Sequence, residues 1–384
     1  MNKPIYYGSH FISKKDISAV KHALTEQKIT QGKNVRNFEI KLSNFFGSKY
    51  TSAVSSGTAA LHLSMLSLNL KKSDTVITSP ISFLASANCA EYIGCKVDFS
   101  DICDQTYNLD PNKLEDKLKK NKNIKVVIAI DYAGHPANWE DLSFLKRKYN
   151  FYLVNDNCHS LGSKYKNDQK YAVKFADIVT QSFHPVKHIT TGEGGAVITN
   201  NFKIDKKIKL YRNHGIERNS INFKKFGMWY YKMNSLGYNY RISDINCALG
   251  ISQLKQVKAI IEKRRYIAKQ YYKIFKDNTD IRLPIEKNNC KHSYHLFPIL
   301  VDFNKTKISK KDLFKKLSSK NIFLQVHYIP IHLQPYYKKK YDLGYGDFPI
   351  AEKFYKQQIS LPIYNQLETK KLVWITNQIK NFLF

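Results

Sequence analysis

Short apolar segments alternate with longer amphipathic segments through the N-terminal half of the chain, and this alternation restricts the fold more than any other feature. The apolar segments are residues 50–54, 76–79, 126–130 and 151–156, and a segment of helical character follows each of the first three. Residues 126–130 are apolar throughout, which is typical of a strand buried on both faces of a parallel sheet. Strands that alternate with helices predict right-handed crossovers and an α/β domain with a mostly parallel sheet.

The pattern changes after residue 200, where the regular alternation ends. Residues 243–275 predict one long helix, because apolar side chains recur there at helical spacing. Shorter strands, at residues 295–301 and 323–328, alternate there with helices and predict an α+β region. A chain of 384 residues exceeds the usual size of a single core. We therefore predict a large domain at residues 1–245, which includes the N-terminal segment, and a linking helix with a smaller C-terminal domain at residues 246–384.

The formal net charge of +31 raises the question of nucleic-acid binding. Lysine supplies nearly all of the positive charge, whereas base-specific contacts favour the planar fork of arginine. The lysines are also spread along the chain instead of forming one block. We therefore expect no nucleic-acid partner, and only a weak attraction to anions such as a phosphate-bearing substrate.

The same composition predicts a cytoplasmic protein without a membrane partner. No apolar run is long enough to cross a bilayer, and the first residues lack the pattern of a signal peptide. The six cysteines form no C-x-x-C pair, which favours free thiols in a reducing compartment. His184 and His188 are four residues apart, but Pro185 argues against a helix that would direct both at a metal. We expect no metal site.

One lysine stands in an unusual setting. Lys187 lies in a glycine-rich connection, residues 182–195, between two apolar segments of strand character at 176–181 and 196–199. A lysine held there can be partly desolvated, which lowers the pKa of its amine and lets the neutral amine form a Schiff base. In a chain this rich in lysine, the alternative for any one of them is a solvated surface residue.

Three other features stand at strand ends or in the turns that follow them. Residues 56–58 open a helix after a strand, and their glycine and hydroxyls suit an anion, although serine and threonine are also favoured as ordinary helix caps. Phe83 follows the next strand and could stack on a planar ligand or simply pack in the core. Asp156 ends a further strand with a carboxylate.

Together these residues are the set that pyridoxal 5'-phosphate (PLP) requires. PLP needs an amine for covalent attachment, a carboxylate that keeps the ring nitrogen protonated, a phosphate cup and a face for stacking. A helix N-terminus suits the phosphate dianion. Each feature is weak alone, but their joint occurrence in one α/β sheet predicts a PLP site.

Six motifs in order along nearly the whole chain resemble the DegT/DnrJ/EryC1/StrS family of PLP-dependent sugar aminotransferases. They are residues 29–32, 56–62, 156–162, 182–195, 237–241 and 361–364. The resemblance implies an aspartate aminotransferase-like (type I) PLP fold, with PLP bound by the larger domain. It also implies a homodimer whose active sites are shared between the subunits.

The resemblance also assigns roles by position. Lys187 would hold PLP as a Schiff base, and Asp156 would pair with its pyridine nitrogen. The other implied cofactor contacts are His159 near the ring, Gly57, Thr58 and Ser182 at the phosphate, Phe83 as the stacking aromatic, and Asn239 at the phosphate of the other subunit.

Within the family, residues 182–187 and 327–337 are most similar to the branch that acts in pseudaminic acid biosynthesis. This similarity implies transfer of an amino group from L-glutamate to C4 of a UDP-linked 4-keto-6-deoxy-N-acetylhexosamine. Candidate sugar contacts are Tyr6, His184, His327 and His332.

Three alternatives stay open at this point. A dehydratase branch of the family has histidine where the others have the Schiff-base lysine, and here Lys187 is followed directly by His188, although the register of residues 187–195 favours Lys187 as the attachment site. A sugar C3 aminotransferase would use the same PLP motifs. A basic anion-binding or regulatory protein would use the charge and bind no cofactor.

Overall fold

The computed structural model describes residues 3–218 and 220–384. Its strands are β1 Ile5–Tyr6, β2 Tyr50–Val54, β3 Thr75–Thr78, β4 Lys96–Phe99, β5 Ile124–Ile130, β6 Tyr152–Asp156, β7 Lys164–Tyr165, β8 Ile178–Ser182, β9 Gly195–Thr199, β10 Ile216–Glu217, β11 Lys232–Met233, β12 Ile281–Arg282, β13 Cys290–Lys291, β14 Phe297–Val301, β15 Ile322–Phe323 and β16 Gln358–Leu361.

The helices are α1 Lys14–Leu24, α2 Lys33–Phe46, α3 Gly57–Ser67, α4 Ala85–Glu91, α5 Pro111–Lys120, α6 Trp139–Tyr149, α7 Tyr171–Phe175, α8 Phe202–Tyr211, α9 Ser220–Phe226, α10 Asp244–Leu254, α11 Val257–Phe275, α12 Lys310–Ser319, α13 Pro335–Tyr341, α14 Pro349–Gln357 and α15 Thr369–Leu383. Within the described ranges, no helix combines the length and the apolar character needed to cross a membrane.

Seven strands form the central sheet in the order β2-β9-β8-β6-β5-β3-β4. The pairs β8-β6, β6-β5, β5-β3 and β3-β4 are parallel, and β9 runs antiparallel to both of its neighbours. The predicted α/β fold with a mostly parallel sheet is confirmed. The carboxyl ends of β3, β5, β6 and β8 share one edge of this sheet, which is where ligands bind in open α/β folds.

Helices cover both faces of the sheet, and β5 shows how. Val126 and Ile128 pack on the face covered by α3 and α8, whereas Val127 and Ala129 pack on the face covered by α2, α5 and α6. Successive side chains of a strand point to opposite faces, so a strand covered on both sides must be apolar at every position. This explains the uninterrupted apolar segment in the sequence.

The C-terminal part has its own core. Strands β12, β14 and β16 form a three-stranded antiparallel sheet, and a third buried cluster packs it with α11, α12 and α15. The N-terminal strand β1 pairs in parallel with β15, with Ile5 opposite Ile322. The first residues therefore lie beside the C-terminal part, and the division at residue 245 stays a prediction.

Two predicted elements were wrong in extent. The single helix at 243–275 is two helices, α10 and α11, separated at Lys255 and Gln256. Apolar spacing continues across the break, so it cannot reveal it. The side chain of Gln256 instead donates to the Asp16 carboxylate of α1, 3.2 Å away. The strand expected at 323–328 is limited to β15, because the chain leaves its partner β1 after Phe323.

Candidate active site

Lys187 lies in the connection between β8 and β9, as the sequence predicted. Backbone hydrogen bonds close this connection, from the Phe183 amide to the Gly194 carbonyl (2.8 Å) and from the Thr191 amide to the Phe183 carbonyl (3.0 Å). The hydroxyl of Thr190 also donates to the Phe183 carbonyl, at 3.0 Å. These three hydrogen bonds hold the loop that carries Lys187 in place at the edge of the sheet.

The surroundings of Lys187 favour a neutral amine. Burial lowers the pKa of the Lys187 amine below its ordinary value, and the nearby Cys158 and Asp156 act against this shift. Among the described residues, its Nζ atom has no hydrogen-bond or ion-pair partner. A partly desolvated amine without a fixed partner is suited to attack a carbonyl carbon.

Asp156 is the last residue of β6 and is 6% exposed. Its Oδ2 atom accepts a hydrogen bond from the Ser86 hydroxyl at 2.8 Å, and its Oδ1 atom accepts one from the Cys158 amide at 3.3 Å. An ionised carboxylate can accept about four hydrogen bonds. Asp156 therefore has acceptor capacity left for a donor that is not part of the chain.

The cradle predicted at residues 56–58 is the N-terminus of α3. The Ser56 hydroxyl caps the helix by accepting the Ala59 amide at 3.0 Å, so the ordinary helix cap is present and the anion cradle stays a prediction. A Cβ atom on Gly57 would lie 2.8 Å from Cβ and 3.3 Å from Oγ of Ser182. The structure therefore brings Gly57 and Ser182 side by side, with Thr58 next in the helix and partly exposed.

His159 lies close to these residues and is 4% exposed. Its Nε2 atom is 3.1 Å from the Tyr328 hydroxyl, and its ring centroid is 4.4 Å from that of His295. Its Nδ1 atom has no partner within the described part of the chain. Burial and the nearby Lys187 lower the pKa of His159 well below its ordinary value, so this histidine is neutral. Its Nδ1 atom is available for a hydrogen bond to a ligand.

Phe83 is 57% exposed and follows β3 at the same edge. Its ring centroid is 6.1 Å from that of Tyr328. A large aromatic ring left open to solvent beside buried polar groups is suited to cover a planar ligand. The alternative of an ordinary core residue does not describe Phe83.

Asn239 is exposed and is bridged to Asn213 through the backbone. The neighbouring Tyr240 carbonyl accepts a hydrogen bond from the Ser55 amide at 2.9 Å, so this segment borders the turn that leads into α3. The structure places Asn239 at the surface of the chain, and its contact with a second subunit stays a prediction.

The four candidate sugar contacts differ in their surroundings. His327 is buried, bonds to the Ser360 hydroxyl at 2.9 Å, and directly precedes Tyr328. Tyr6 is 51% exposed and stacks on Phe323 at 5.2 Å.

The remaining two candidates occupy opposite environments. His184 is exposed, 4.0 Å from Glu193, at the start of the loop that carries Lys187. His332 is fully buried, 3.2 Å from Glu352 and packed on Phe348, so the structure does not bring it to the other candidates.

Sequence reasoning missed several neighbours of the site. Ser86 and Cys158 bond to Asp156, and Tyr328 and His295 contact His159. Cys158 and Tyr328 lie inside two segments that carry the family resemblance, residues 156–162 and 327–337, so their positions in the sequence could have identified them. Ser86 and His295 reach the site only through the packing of α4 and of the C-terminal part.

The residues present fit PLP. Gly57 leaves open the space that any side chain would fill beside Ser182, at the N-terminus of an 11-residue helix suited to a phosphate. Asp156 has acceptor capacity for a ring nitrogen, and the Nδ1 atom of His159 makes no hydrogen bond to any described residue. Lys187 supplies the partly desolvated amine.

Comparison with known proteins agrees with this arrangement. The family model for the DegT/DnrJ/EryC1/StrS aminotransferase family matches residues 10–380. A Campylobacter jejuni protein named UDP-4-amino-4,6-dideoxy-N-acetyl-beta-L-altrosamine transaminase is 39% identical over 380 residues, which cover 99% of this chain and 97% of that one.

Solved structures are similar over the whole chain. Helicobacter pylori PseC, described as an aminotransferase involved in the biosynthesis of pseudoaminic acid, superposes with a TM-score of 0.91 at 33% identity and covers 99% of both chains. The PMP form of Streptococcus pneumoniae Spr1654 superposes with a TM-score of 0.91 at 25% identity, again over 99% of both chains.

The fold is therefore the aspartate aminotransferase-like (type I) class that the sequence predicted. Within that class, the chain belongs to the DegT/DnrJ/EryC1/StrS aminotransferase family. The resemblance that six motifs indicated is confirmed.

Proposed function

We propose that this protein is a PLP-dependent aminotransferase that moves an amino group from L-glutamate to a nucleotide-linked keto sugar. The observation that carries the proposal is the meeting of Lys187 and Asp156 at one sheet edge with the Gly57 and Ser182 cradle. The four residues come from three separate parts of the chain: the end of β6, the turn after β2, and the end of β8 with the connection that follows it. A solvated lysine or a bare anion site would not need the other three groups.

PLP, when bound, supplies an aldehyde that joins amino groups covalently and a ring that takes up negative charge. In the proposed mechanism, the amine of Lys187 would hold the cofactor and would serve as base and acid for the proton at the carbon that bears the transferred nitrogen. Asp156 would keep the ring nitrogen protonated. Gly57, Thr58 and Ser182 would bind the phosphate, and Phe83 would cover the ring.

We propose a UDP-linked 4-keto-6-deoxy-N-acetylhexosamine as the acceptor, with amination at C4. The support is the name of the Campylobacter jejuni relative and the description of PseC, both matched over nearly the full chain. Tyr6, His184 and His327 are the sugar contacts that we propose, and His332 is the least favoured, because Glu352 and Phe348 enclose it.

We also propose that the enzyme is a cytoplasmic homodimer. Large apolar side chains are exposed in the segment that precedes Asn239 in the chain, with Met228 82%, Trp229 79% and Leu236 75% exposed. An exposed apolar patch of this kind is typical of an interaction surface. In the dimer, Asn239 would reach the phosphate bound by the other subunit.

The test is a reaction with [15N]L-glutamate, PLP and the 4-keto sugar nucleotide, followed by NMR of the product. We expect 15N at C4 of the sugar and one 2-oxoglutarate for each amino sugar formed. Borohydride reduction before substrate addition should place the cofactor on Lys187 in a peptide map.

Other outcomes identify the alternatives. Nitrogen at C3 would replace the regiochemistry, and a deoxygenated sugar without retained 15N would indicate a dehydratase. Absence of a chromophore after addition of PLP, together with salt-sensitive binding to nucleic acid, would favour the basic binding protein.

Mixing two inactive variants tests the shared site. Lys187→Ala and Asn239→Ala chains, unfolded and refolded together, should regain activity, because one site of each mixed dimer then has both residues intact. No recovery would mean that Asn239 does not act across subunits.

A further inference from the structure

Two buried serines stand behind Asp156. Ser82 and Ser86 are 3% and 0% exposed, and their Oγ atoms are 2.7 Å apart. The Ser86 Oγ atom is also 2.8 Å from Oδ2 of Asp156, which is 70 positions later in the chain. The three side chains therefore form one hydrogen-bonded chain, from Ser82 through Ser86 to the Asp156 carboxylate.

The direction of these hydrogen bonds follows from the chemistry of the groups. An ionised carboxylate only accepts, so the single proton of the Ser86 hydroxyl must point to Asp156. The proton between the two serines must then come from Ser82. Hydrogen bonds in such a chain polarise one another, and a bond to a charged acceptor is roughly twice as strong as a neutral one.

Buried serines elsewhere in the same layer behave differently. The hydroxyl of Ser64 donates to the Ala60 carbonyl at 2.7 Å, and that of Ser67 donates to the Ser64 carbonyl at 2.7 Å. This local bond to the preceding helical turn is the usual solution for a serine inside a helix. Ser86 in α4 bonds instead to the Asp156 carboxylate at the end of β6.

The two oxygens of Asp156 are consequently unequal. Oδ2 accepts the charge-assisted bond from Ser86, whereas the one bond that Oδ1 accepts from the described residues is the longer bond from the Cys158 amide, at 3.3 Å. We propose that Ser86, supported by Ser82, is a positioning residue that fixes the rotation of the Asp156 carboxylate and leaves Oδ1 for the protonated ring nitrogen of PLP. This inference rests on the proposed function.

Ser82 and Phe83 lie in the segment that joins β3 to α4, and Ser86 lies in the first turn of α4. One short segment therefore carries the proposed stacking ring and the hydroxyls that orient the carboxylate. A shift of this segment would move both contacts to the cofactor together.

The test compares the binding of two ligands to the apoprotein by fluorescence titration. One ligand is PLP, and the other is its carbocyclic analogue with a C–H group in place of the ring nitrogen. Loss of a hydrogen bond to a charged group predicts that Ser86→Ala binds PLP roughly tenfold more weakly than wild type. The same variant should bind the analogue as well as wild type does, because the analogue offers Asp156 no N–H group.

Ser67→Ala is the matched control, since it removes the same atoms from a buried helical serine that bonds only to the backbone. It should leave both affinities unchanged. An equal loss for PLP and the analogue in Ser86→Ala would overturn the inference, because the hydroxyl would then only support packing.

If Ser86→Ala does not fold, Ser82→Ala tests the same proposal. We expect the same selectivity for PLP over the analogue, with a smaller loss of affinity, and equal losses would again overturn the proposal. A wild-type protein that binds neither ligand would instead refute the proposed function, which separates the two failures.

Discussion

Asp131 and Asp156 occupy equivalent places at the ends of adjacent parallel strands, yet their surroundings are opposite. Asp131 directly follows β5, is fully buried, and accepts hydrogen bonds at both oxygens. Its five donors are the Ala137 amide, the Trp139 indole, the amides of Asn155 and Asn157, and the Tyr171 hydroxyl. Every acceptor position of this carboxylate is used to hold the fold.

Asp156 has only the Ser86 hydroxyl and the Cys158 amide as donors among the described residues. Burial therefore does not distinguish the two acids, since both are shielded from water. The difference lies in unused acceptor capacity, which Asp156 has and Asp131 lacks and which can take a donor from outside the chain. We infer that Asp131 is structural and Asp156 functional, and four experiments examine that contrast.

The largest effect should come from Asp156→Asn. Loss of the charge opposite the ring nitrogen should lower the rate of amino transfer by roughly 10²- to 10³-fold, while PLP still binds. The melting temperature should stay close to that of wild type, because few groups of the chain depend on this carboxylate. Steady-state kinetics and a thermal melt measure both, and full activity would remove Asp156 from the proposed mechanism.

Asp131→Asn should show the reverse pattern. Its new amide group would face donors that now bond to the carboxylate, and each unsatisfied buried donor costs about 1–3 kcal/mol. We expect the free energy of unfolding in urea to fall by about 3 kcal/mol or more, with little change in the rate per folded molecule. Unchanged stability would contradict the structural role.

Gly57→Ala tests the neighbouring phosphate cradle that Gly57 and Ser182 form. The added Cβ atom would lie 2.8 Å from Cβ of Ser182. Overpacking of about 1–2 kcal/mol predicts PLP binding weaker by roughly tenfold, measured by titration of the apoprotein. Gly344→Ala is the control, because no atom lies within 4 Å of its added Cβ, and equal effects would disprove the cradle.

The smallest effect is the change of folding stability with pH that comes from the buried His327. Burial lowers the pKa of His327 to about 3, whereas an unfolded histidine titrates near 6.5. Below about pH 6.5 the unfolded state binds the extra proton, so stability is complete above that pH and falls as the pH drops toward 3. The wild-type slope should exceed that of His327→Asn by up to about 1.4 kcal/mol per pH unit, measured by urea unfolding. Equal slopes would mean that His327 is not held neutral.

The sequence was sufficient for the features that depend on local pattern. The strand that precedes Lys187, the glycine turn that carries it, and the α3 N-terminus at Gly57 are each encoded within a few residues. The apolar run of β5 predicted a strand covered on both faces, because a strand must alternate its side chains between them. Local physics therefore located most of the candidate site.

Other features depend on distant partners and left no local trace. The break between α10 and α11 lies in a continuous apolar pattern, and its Gln256 bonds to Asp16 in the first helix. Tyr328 was expected in a strand, but it contacts His159 from outside any strand. The sequence made His332 a candidate sugar contact like His327, but the fold surrounds His332 with Glu352 and Phe348.

By itself, the sequence determined the order of strands and helices, the family, and the set of groups that a PLP site requires. Only the tertiary structure decided which of two acids at strand ends keeps a free oxygen, and that Ser86 orients it. The physical reason is that backbone geometry and periodicity are local properties. Hydrogen-bond capacity is used or left open by residues that the fold brings together from far apart in the chain.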